Sequence, residues 1–485
     1  MEKPTPVHRN GDRSHPPLII PSPILSGEIH PISPHMTTET TEALLTRKAR
    51  DLPSLGKSKK PFHPGWVILG VAAAGVYMSA PGQSYSVAAF IDPMLTDLGL
   101  KRTQYSTAYC VATLLGGLTL PWMGRMVDSH GARRMLPIVA FLLGLACLWM
   151  GSVQHVVALY VGFSMIRCLG QGTLTLISTW LIGEWFEQRR GLATGLIGLG
   201  GTLSIMSVPL INDWIIGEYG WRTSWGILAV AVWIVLILPG ILLVRDRPED
   251  MGLLPDWKRP SDLEKETAEP VVSAKVKHHR ISPTRESWTV REAYRTATFW
   301  KILAVISTSS MVGTGLIFHQ VSLLGEHGVS RSDTFILLGF QALVGTVSGV
   351  VAGYLTDRMQ ARYLLAACSL FLASALLLLI VMPSPGYAFV YSGLLGLQGG
   401  IIRSTGTVIW INYYGRLYQG AVRGLAMSVM VIAAAFGPLP LALAKDYLGG
   451  YQVVLCGFLI LPILAAVVVL SATVPVKKSQ GERQA

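Results

Sequence analysis

The sequence predicts an all-α membrane protein with twelve transmembrane helices in two six-helix halves. Three observations carry that expectation: the composition, a series of apolar runs of spanning length, and a repeat offset by about 230 residues. Of 485 residues, 51 % are hydrophobic and 14 % charged, against about 25 % charged in an average soluble domain. So few charges cannot coat a water-facing surface around so apolar a chain. An ordinary soluble enzyme, a disordered chain and a secreted disulfide scaffold are excluded, and the surplus apolar surface calls for a bilayer.

The runs fall at residues 66–90, 103–123, 136–153, 156–183, 191–212 and 222–244, then at 299–322, 334–353, 363–382, 387–412, 424–443 and 451–474. Each approaches the roughly 20 residues that cross a hydrocarbon core as a helix. None alternates residue by residue as a barrel strand would, and lipid forbids open sheet edges. We number them span 1 to span 12.

Lys and Arg set the orientation. With the N-terminus inside, the external loops hold Lys101, Arg102, Arg222, Arg331 and Lys445. Arg167 and Arg403 lie within spans and Lys301 near a span start, which leaves 32 of the 40 basic residues inside. The expectation is a plasma-membrane protein with both termini cytoplasmic. The net charge of +12 then follows without a nucleic-acid partner. Residues 1–64 read as a disordered cytoplasmic tail without a signal peptide; translation from Met1 or from Met36 fits equally well. Residues 65–244 and 299–475 are the two halves, 245–298 a charged cytoplasmic linker and 476–485 a C-terminal tail. Cys110, Cys147, Cys168, Cys368 and Cys456 have no metal-binding spacing and read as free, buried thiols.

The halves repeat one another. Gly124-Arg125-Met126-Val127-Asp128, then Gly131-Ala132-Arg133-Arg134, lies between spans 2 and 3. Gly353-Tyr354-Leu355-Thr356-Asp357-Arg358, then Ala361-Arg362, lies between spans 8 and 9. Arg190-Gly191-Leu192-Ala193 opens span 5 and Arg423-Gly424-Leu425-Ala426 opens span 11, while Trp180 and Trp410 sit near the ends of spans 4 and 10. Parallel six-helix repeats are a transporter architecture, with the substrate near the midplane between them.

On these residues the sequence resembles the major facilitator superfamily. The Gly124–Arg134 stretch is similar to its signature loop, departing at Ser129 and Ala132, and Arg167-Cys168-Leu169-Gly170-Gln171-Gly172 to its fourth-span signature. More narrowly, Trp185-Phe186-Glu187-Gln188-Arg189-Arg190-Gly191, Gly220-Trp221-Arg222, Arg247–Asp256 and Thr298-Phe299-Trp300 resemble the monocarboxylate transporter and oxalate/formate antiporter group. The resemblance implies a cavity lined by spans 1, 4, 7 and 10. It also implies an inner gate at Asp128, Arg133 and Arg134, echoed at Asp357 and Arg358; a topological anchor is the other reading of those charges. Carriers of this group often hold an anion with Arg in span 8, where this chain has Gln341, a candidate substrate contact, and no ionisable residue in mid-span.

Charges at membrane depth cost at least about 2.5–3.5 kcal/mol on the insertion scale. Arg167 and Arg403 sit well inside spans 4 and 10, and Arg does not escape the cost by deprotonating. Facing one cavity, the two would fork a carboxylate. The alternative is a structural Arg on helix carbonyls. His319, near the outer end of span 7, suits proton sensing or weak anion binding, or is an interfacial His on backbone. In span 1, Pro81 and Gly82 interrupt the helix, so Tyr77, Gln83 and Tyr85 are candidate donors to a carboxylate, or surround a packing kink. The glycines of span 8 (345, 349, 353) and of span 5 (195, 198, 200, 201) read as helix-packing stripes.

The expected function is secondary active or facilitative transport of a small organic anion, a monocarboxylate, by a monomer, with a coupling proton as a further candidate partner. Export of a hydrophobic drug or metabolite is the alternative. No nucleophile, acid pair, ATP motif, metal motif or cofactor motif points to an enzyme.

Overall fold

The computed structural model describes residues 64–186, 189–251, 288–356, 358–415 and 418–476. The chain divides at Pro61 into Met1–Pro61, which lies outside those residues, and Phe62–Ala485, which holds every helix below. The expected N-terminal tail, the question of Met36 and most of the linker fall outside as well.

Ten helices among the described residues are long and apolar enough to cross a membrane. One of them, Leu192–Leu242, has 51 residues and would reach about 77 Å unbroken, more than twice a hydrocarbon core. Gly220, at φ 81 and ψ 162, breaks it into spans 5 and 6. A further helix, Ala388–Tyr414, is 27 residues long. It carries Gln398 and Arg403 and is span 10. Twelve spans result, in the order expected.

Span 1 runs Pro64–Met78 and then breaks into short turns at Ala80–Gly82, Ser84–Val87 and Ala88–Phe90 before Ile91–Leu98. Span 2 is Arg102–His130 and span 3 Ala132–Gly151. The signature stretch Gly124–Asp128 is therefore helix rather than loop; the helix outruns the apolar segment because its last turns leave lipid and satisfy their own backbone. Gly131, at φ 77, makes the turn. Span 4 is Val156–Ile166, a π-helical stretch Arg167–Leu174, and Thr175–Trp185. Span 7 is Ala297–Gly325, span 8 Arg331–Thr356, span 9 Ala361–Val381 and span 12 Gln452–Leu470. Span 11 is split into Gln419–Phe436 and Pro438–Leu448, since Pro438 cannot donate to the ladder.

Spans 1–6 share one aromatic-rich core, in which Phe90 stacks on Trp225 at 4.2 Å and Tyr105 meets Phe163 edge-on at 4.9 Å. Spans 7–12 have their own cores, with Phe299 against Trp410 at 5.2 Å. Outward faces are apolar: Leu118 is 77 % exposed and Val350 73 %, which suits lipid and not water. The five thiols are free, but Cys168 is half-buried and Cys456 exposed, so burial holds for three.

The span 8 stripe packs on span 10. A Cβ on Gly400 would lie 1.9 Å from Ser348 Oγ and 2.3 Å from the Gly345 carbonyl, so the two backbones nearly touch. In span 5 the tight position is Gly200, whose Cβ would stand 2.5 Å from the Ala73 carbonyl, whereas Gly195 and Gly198 face open space.

Candidate functional site: two recesses and a clasp between the halves

The break in span 1 shapes the first recess. With the helix interrupted at Pro81-Gly82, the carbonyl of Gly82 loses its helical partner. Span 4 approaches through its π-helical turn. A Cβ on Gly82 would lie 2.3 Å from the Ile166 carbonyl, and one on Gly170 would lie 3.1 Å from Gly82 N. That proximity lets Arg167 Nη1 donate to the Gly82 carbonyl at 2.8 Å. The guanidinium also lies over the Tyr109 ring at 4.5 Å, and Tyr109 Oη pairs with Ser84 Oγ at 2.5 Å. Arg167 is 3 % exposed, yet its Nε is buried without a hydrogen-bond partner. It lines a cavity of about 410 Å³ together with Gln171, Thr175 and Thr113 from the first half and Ser310 and Met430 from the second. The cavity reaches Thr179, next to Trp180, whose Nε1 donates to Asp128 Oδ1 at 2.9 Å. It thus leads toward the end of the molecule that carries the 245–298 linker, called here the linker end.

The second recess, about 60 Å³, is lined by Arg403, Gln341 and Tyr85, with Gly396 and Gly399. Gly345 leaves room for the guanidinium: a Cβ there would stand 2.7 Å from Arg403 Nη2. Arg403 is exposed, and among the described residues it has neither a hydrogen bond nor an ion pair. Gln341 Oε1 is buried and unpartnered. Tyr85 Oη pairs with Ser204 Oγ at 2.8 Å, and Ser204 donates to the Tyr77 carbonyl at 2.8 Å.

The expected residues therefore separate. Arg403, Gln341 and Tyr85 come together. Arg167 opens on a different recess, so the expectation of two guanidiniums facing one cavity is corrected: the span 1 break draws Arg167 to Gly82. Tyr77 pairs with Ser207 Oγ at 2.7 Å, and Gln83 Nε2 donates to Ser79 Oγ at 3.1 Å; neither lines either of these two recesses. His319 is 1 % exposed rather than interfacial. Its Nε2 bonds the carbonyl of Pro438, the first residue after the span 11 break, at 3.0 Å, and its Nδ1 has no partner.

At the linker end, Asp128 holds the Trp180 indole, and no ion pair joins it to Arg133 or Arg134 among the described residues. Arg133 contributes its backbone N–H, which donates to Asp246 Oδ1 at 2.8 Å. That carboxylate sits 2.5 Å from where a Gly131 Cβ would stand, and it caps span 3 as an anion suits a helix N-terminus. Arg134 is exposed. Arg358 lies over the Tyr354 ring at 4.1 Å, and Asp357 lies outside the described residues.

At the far end, Arg331 opens span 8 and reaches across to the first half. Its Nε donates to Asp213 Oδ1, its Nη2 donates to the Ala89 carbonyl, and its Nη1 lies 3.7 Å from Asp92 Oδ2. Asp92 also pairs with Arg102 at 2.5 Å, and Asp446 Oδ2 accepts from Thr103 N at 2.6 Å. Below these, Tyr109 packs on Phe318 at 4.4 Å. The halves are thus tied at the far end, while the larger recess leads toward the linker end. Sequence reasoning placed Arg331 in an external loop and gave it no role. Its scarcity there was the available signal, since few basic residues fall on that side.

Comparison with known proteins agrees with this architecture. The model of the Major Facilitator Superfamily matches residues 67–438, with a second match over 323–485. Monocarboxylate transporter 14 of Mus musculus is 27 % identical over 166 residues, 34 % of this chain and 32 % of that protein. The oxalate:formate antiporter of Oxalobacter formigenes is 27 % identical over 195 residues, 39 % of this chain and 46 % of that protein. The chain thus spans about a third to a half of the length of these relatives. A solved bacterial homologue of the human lysosomal transporter Spinster, inward-facing and occupied, superposes with a TM-score of 0.65 at 14 % identity, over 85 % of this chain and 97 % of that one; it bears on the fold alone. With a family model over most of its length and twelve spans in two halves, the chain is a multi-pass membrane protein, and it belongs to the major facilitator superfamily.

Proposed function

We propose that the protein carries a small organic anion, a monocarboxylate, across the plasma membrane by alternating access, with both termini in the cytoplasm. The observation that carries this reading is that Arg167 and Arg403 lie at membrane depth, each lining a recess between the halves, and neither pairs with a carboxylate among the described residues. A guanidinium at that depth without an anion is costly, and a visiting carboxylate relieves the cost through a forked, charge-assisted pair. The similarity to a monocarboxylate transporter and to an oxalate:formate antiporter supports the same class of cargo.

In this reading the linker end is cytoplasmic and the described shape admits cargo from that side. The anion meets Arg167 through its unpartnered Nε, with the Gln171 amide as a neutral donor. Arg403, beside the unpartnered Gln341 Oε1, is a second station. Release on the far side requires the Arg331 clasp to part. With Asp92 and Asp213 confined to the far end, the proposal is facilitated or exchange transport rather than a carboxylate proton relay through the membrane.

Uptake of labelled short-chain monocarboxylates into proteoliposomes tests the reading. Saturable uptake that falls at least tenfold in Arg403→Ala and in Arg167→Ala, with reconstitution unchanged, is the expected result. Transport of a lipophilic cation with no response to any carboxylate would favour drug export instead.

A further inference from the structure

The larger recess has two unlike walls. Span 4 supplies Arg167, Gln171 and Thr175 on one side. Facing them across the halves, span 11 supplies Met427, Met430, Val431 and Ala434. These four fall at i, i+3, i+4 and i+7, a single helical face, and none of them carries a polar group. Met427 is 45 % exposed although it belongs to that face. Where span 11 meets span 2, a Cβ on Gly117 would lie 2.9 Å from Val431 Cγ1, so the wall closes against the other half there. The cavity volume of about 410 Å³ falls within the roughly 300–1,000 Å³ of sites that enclose drug-sized molecules, far more than a one- or two-carbon acid fills.

We infer that this wall selects the body of the cargo: the ligand of this recess is an amphipathic monocarboxylate, with its anionic head at Arg167 and a flexible aliphatic or aromatic body on Met427, Met430 and Val431. Thioethers adapt to varied shapes and make favourable contacts with rings, so the wall accepts a range of apolar bodies instead of one shape. Val431 and Ala434 add fixed apolar area between them. The inference rests on the anion reading for the head and on span 11 alone for the body, and the two parts are separable.

The test uses thermal stabilisation of the full-length purified protein. The probes are acetate, butyrate, hexanoate, octanoate and 3-phenylpropionate, with octanamide and 3-phenylpropanamide as uncharged counterparts. Each methylene laid on the wall is expected to tighten binding roughly three- to fourfold, up to the length that fills the recess. Met430→Gln and Val431→Thr are expected to reduce that dependence on chain length by half or more; the second keeps the side-chain outline, and the ligand-free melting temperature of each variant checks that it folds. Equal affinity from acetate to octanoate, or an unchanged chain-length dependence in both variants, would overturn the wall and leave the anion reading intact. Amides as potent as the acids would overturn the anionic head and leave the wall standing.

Discussion

Arg403 lines its recess with no carboxylate among the described residues to balance it, only Gln341 and Tyr85 close by. Its chemistry is directional, because a planar fork can hold two carboxylate oxygens while an ammonium cannot. Arg403→Lys is therefore expected to retain part of the transport that Arg403→Ala loses, with a KM raised at least severalfold; transport equal to the parent in both variants would remove Arg403 from the site. Arg167 is different, because one of its nitrogens is committed to the Gly82 carbonyl. Replacing it by Lys is expected to lower both the cargo affinity and the melting temperature, whereas Arg403→Lys lowers affinity alone. Thermal unfolding beside a transport assay separates the two. Much of this pairing was legible in the sequence, since two Arg within apolar runs announce themselves. The division into two recesses was not, because it depends on which carbonyl the span 1 break releases and how near span 4 lies to it.

At the scale of elements, the contact between the broken span 1 and the π-helical turn of span 4 is made by backbone on both sides. A methyl on Gly82 would lie 2.3 Å from one carbonyl and 2.6 Å from the Gln171 amide, and neither is the free end of a side chain. Gly82→Ala is expected to destabilise the protein by about 1–3 kcal/mol, as overpacking does, and to displace the carbonyl that holds Arg167. A lowered melting temperature together with weakened anion binding would be the observation; an unchanged melting temperature would contradict it. The spans themselves were readable because a helix in lipid must satisfy its own backbone, which ties span length to apolar run length. The π turn and the helical continuation of span 2 to His130 were not readable. The first leaves the hydropathy of span 4 unchanged, and the second lies outside lipid, where hydropathy no longer marks helix. Gly220 sat at the boundary between two apolar runs, so its break was visible as a gap.

For the whole molecule, the decisive asymmetry is that the described ion pairs between the halves gather at the far end, with the Thr202–Thr346 hydroxyl pair at 2.8 Å a neutral tie in mid-span. Arg331 reaches span 1 through Ala89 and Asp92 and span 5 through Asp213, where Ser332 joins it at 3.3 Å. Removing it is expected to shift the population toward shapes open at that end. A cysteine introduced at Ala342, in a background without the native thiols, should then react several times faster with a membrane-impermeant thiol reagent added from the far side. Arg331→Asp combined with Asp213→Arg should slow that reaction again, whereas unchanged labelling in Arg331→Ala would show that the clasp does not hold the end shut. No local pattern exposes this clasp, because its partners lie 118 and 242 residues away.

The nearly touching backbones of spans 8 and 10 have a mechanical corollary. With no space for a methyl between Gly400 and Gly345, the two helices pack as one unit, and under the proposed alternating access Arg403 on one and Gln341 on the other would keep a constant separation. Arg167 and the thioether face of span 11 stand on opposite halves, and under the same proposal they would be drawn apart and pressed together in every cycle. One grip would persist unchanged through the cycle, while the other would be remade at each turnover.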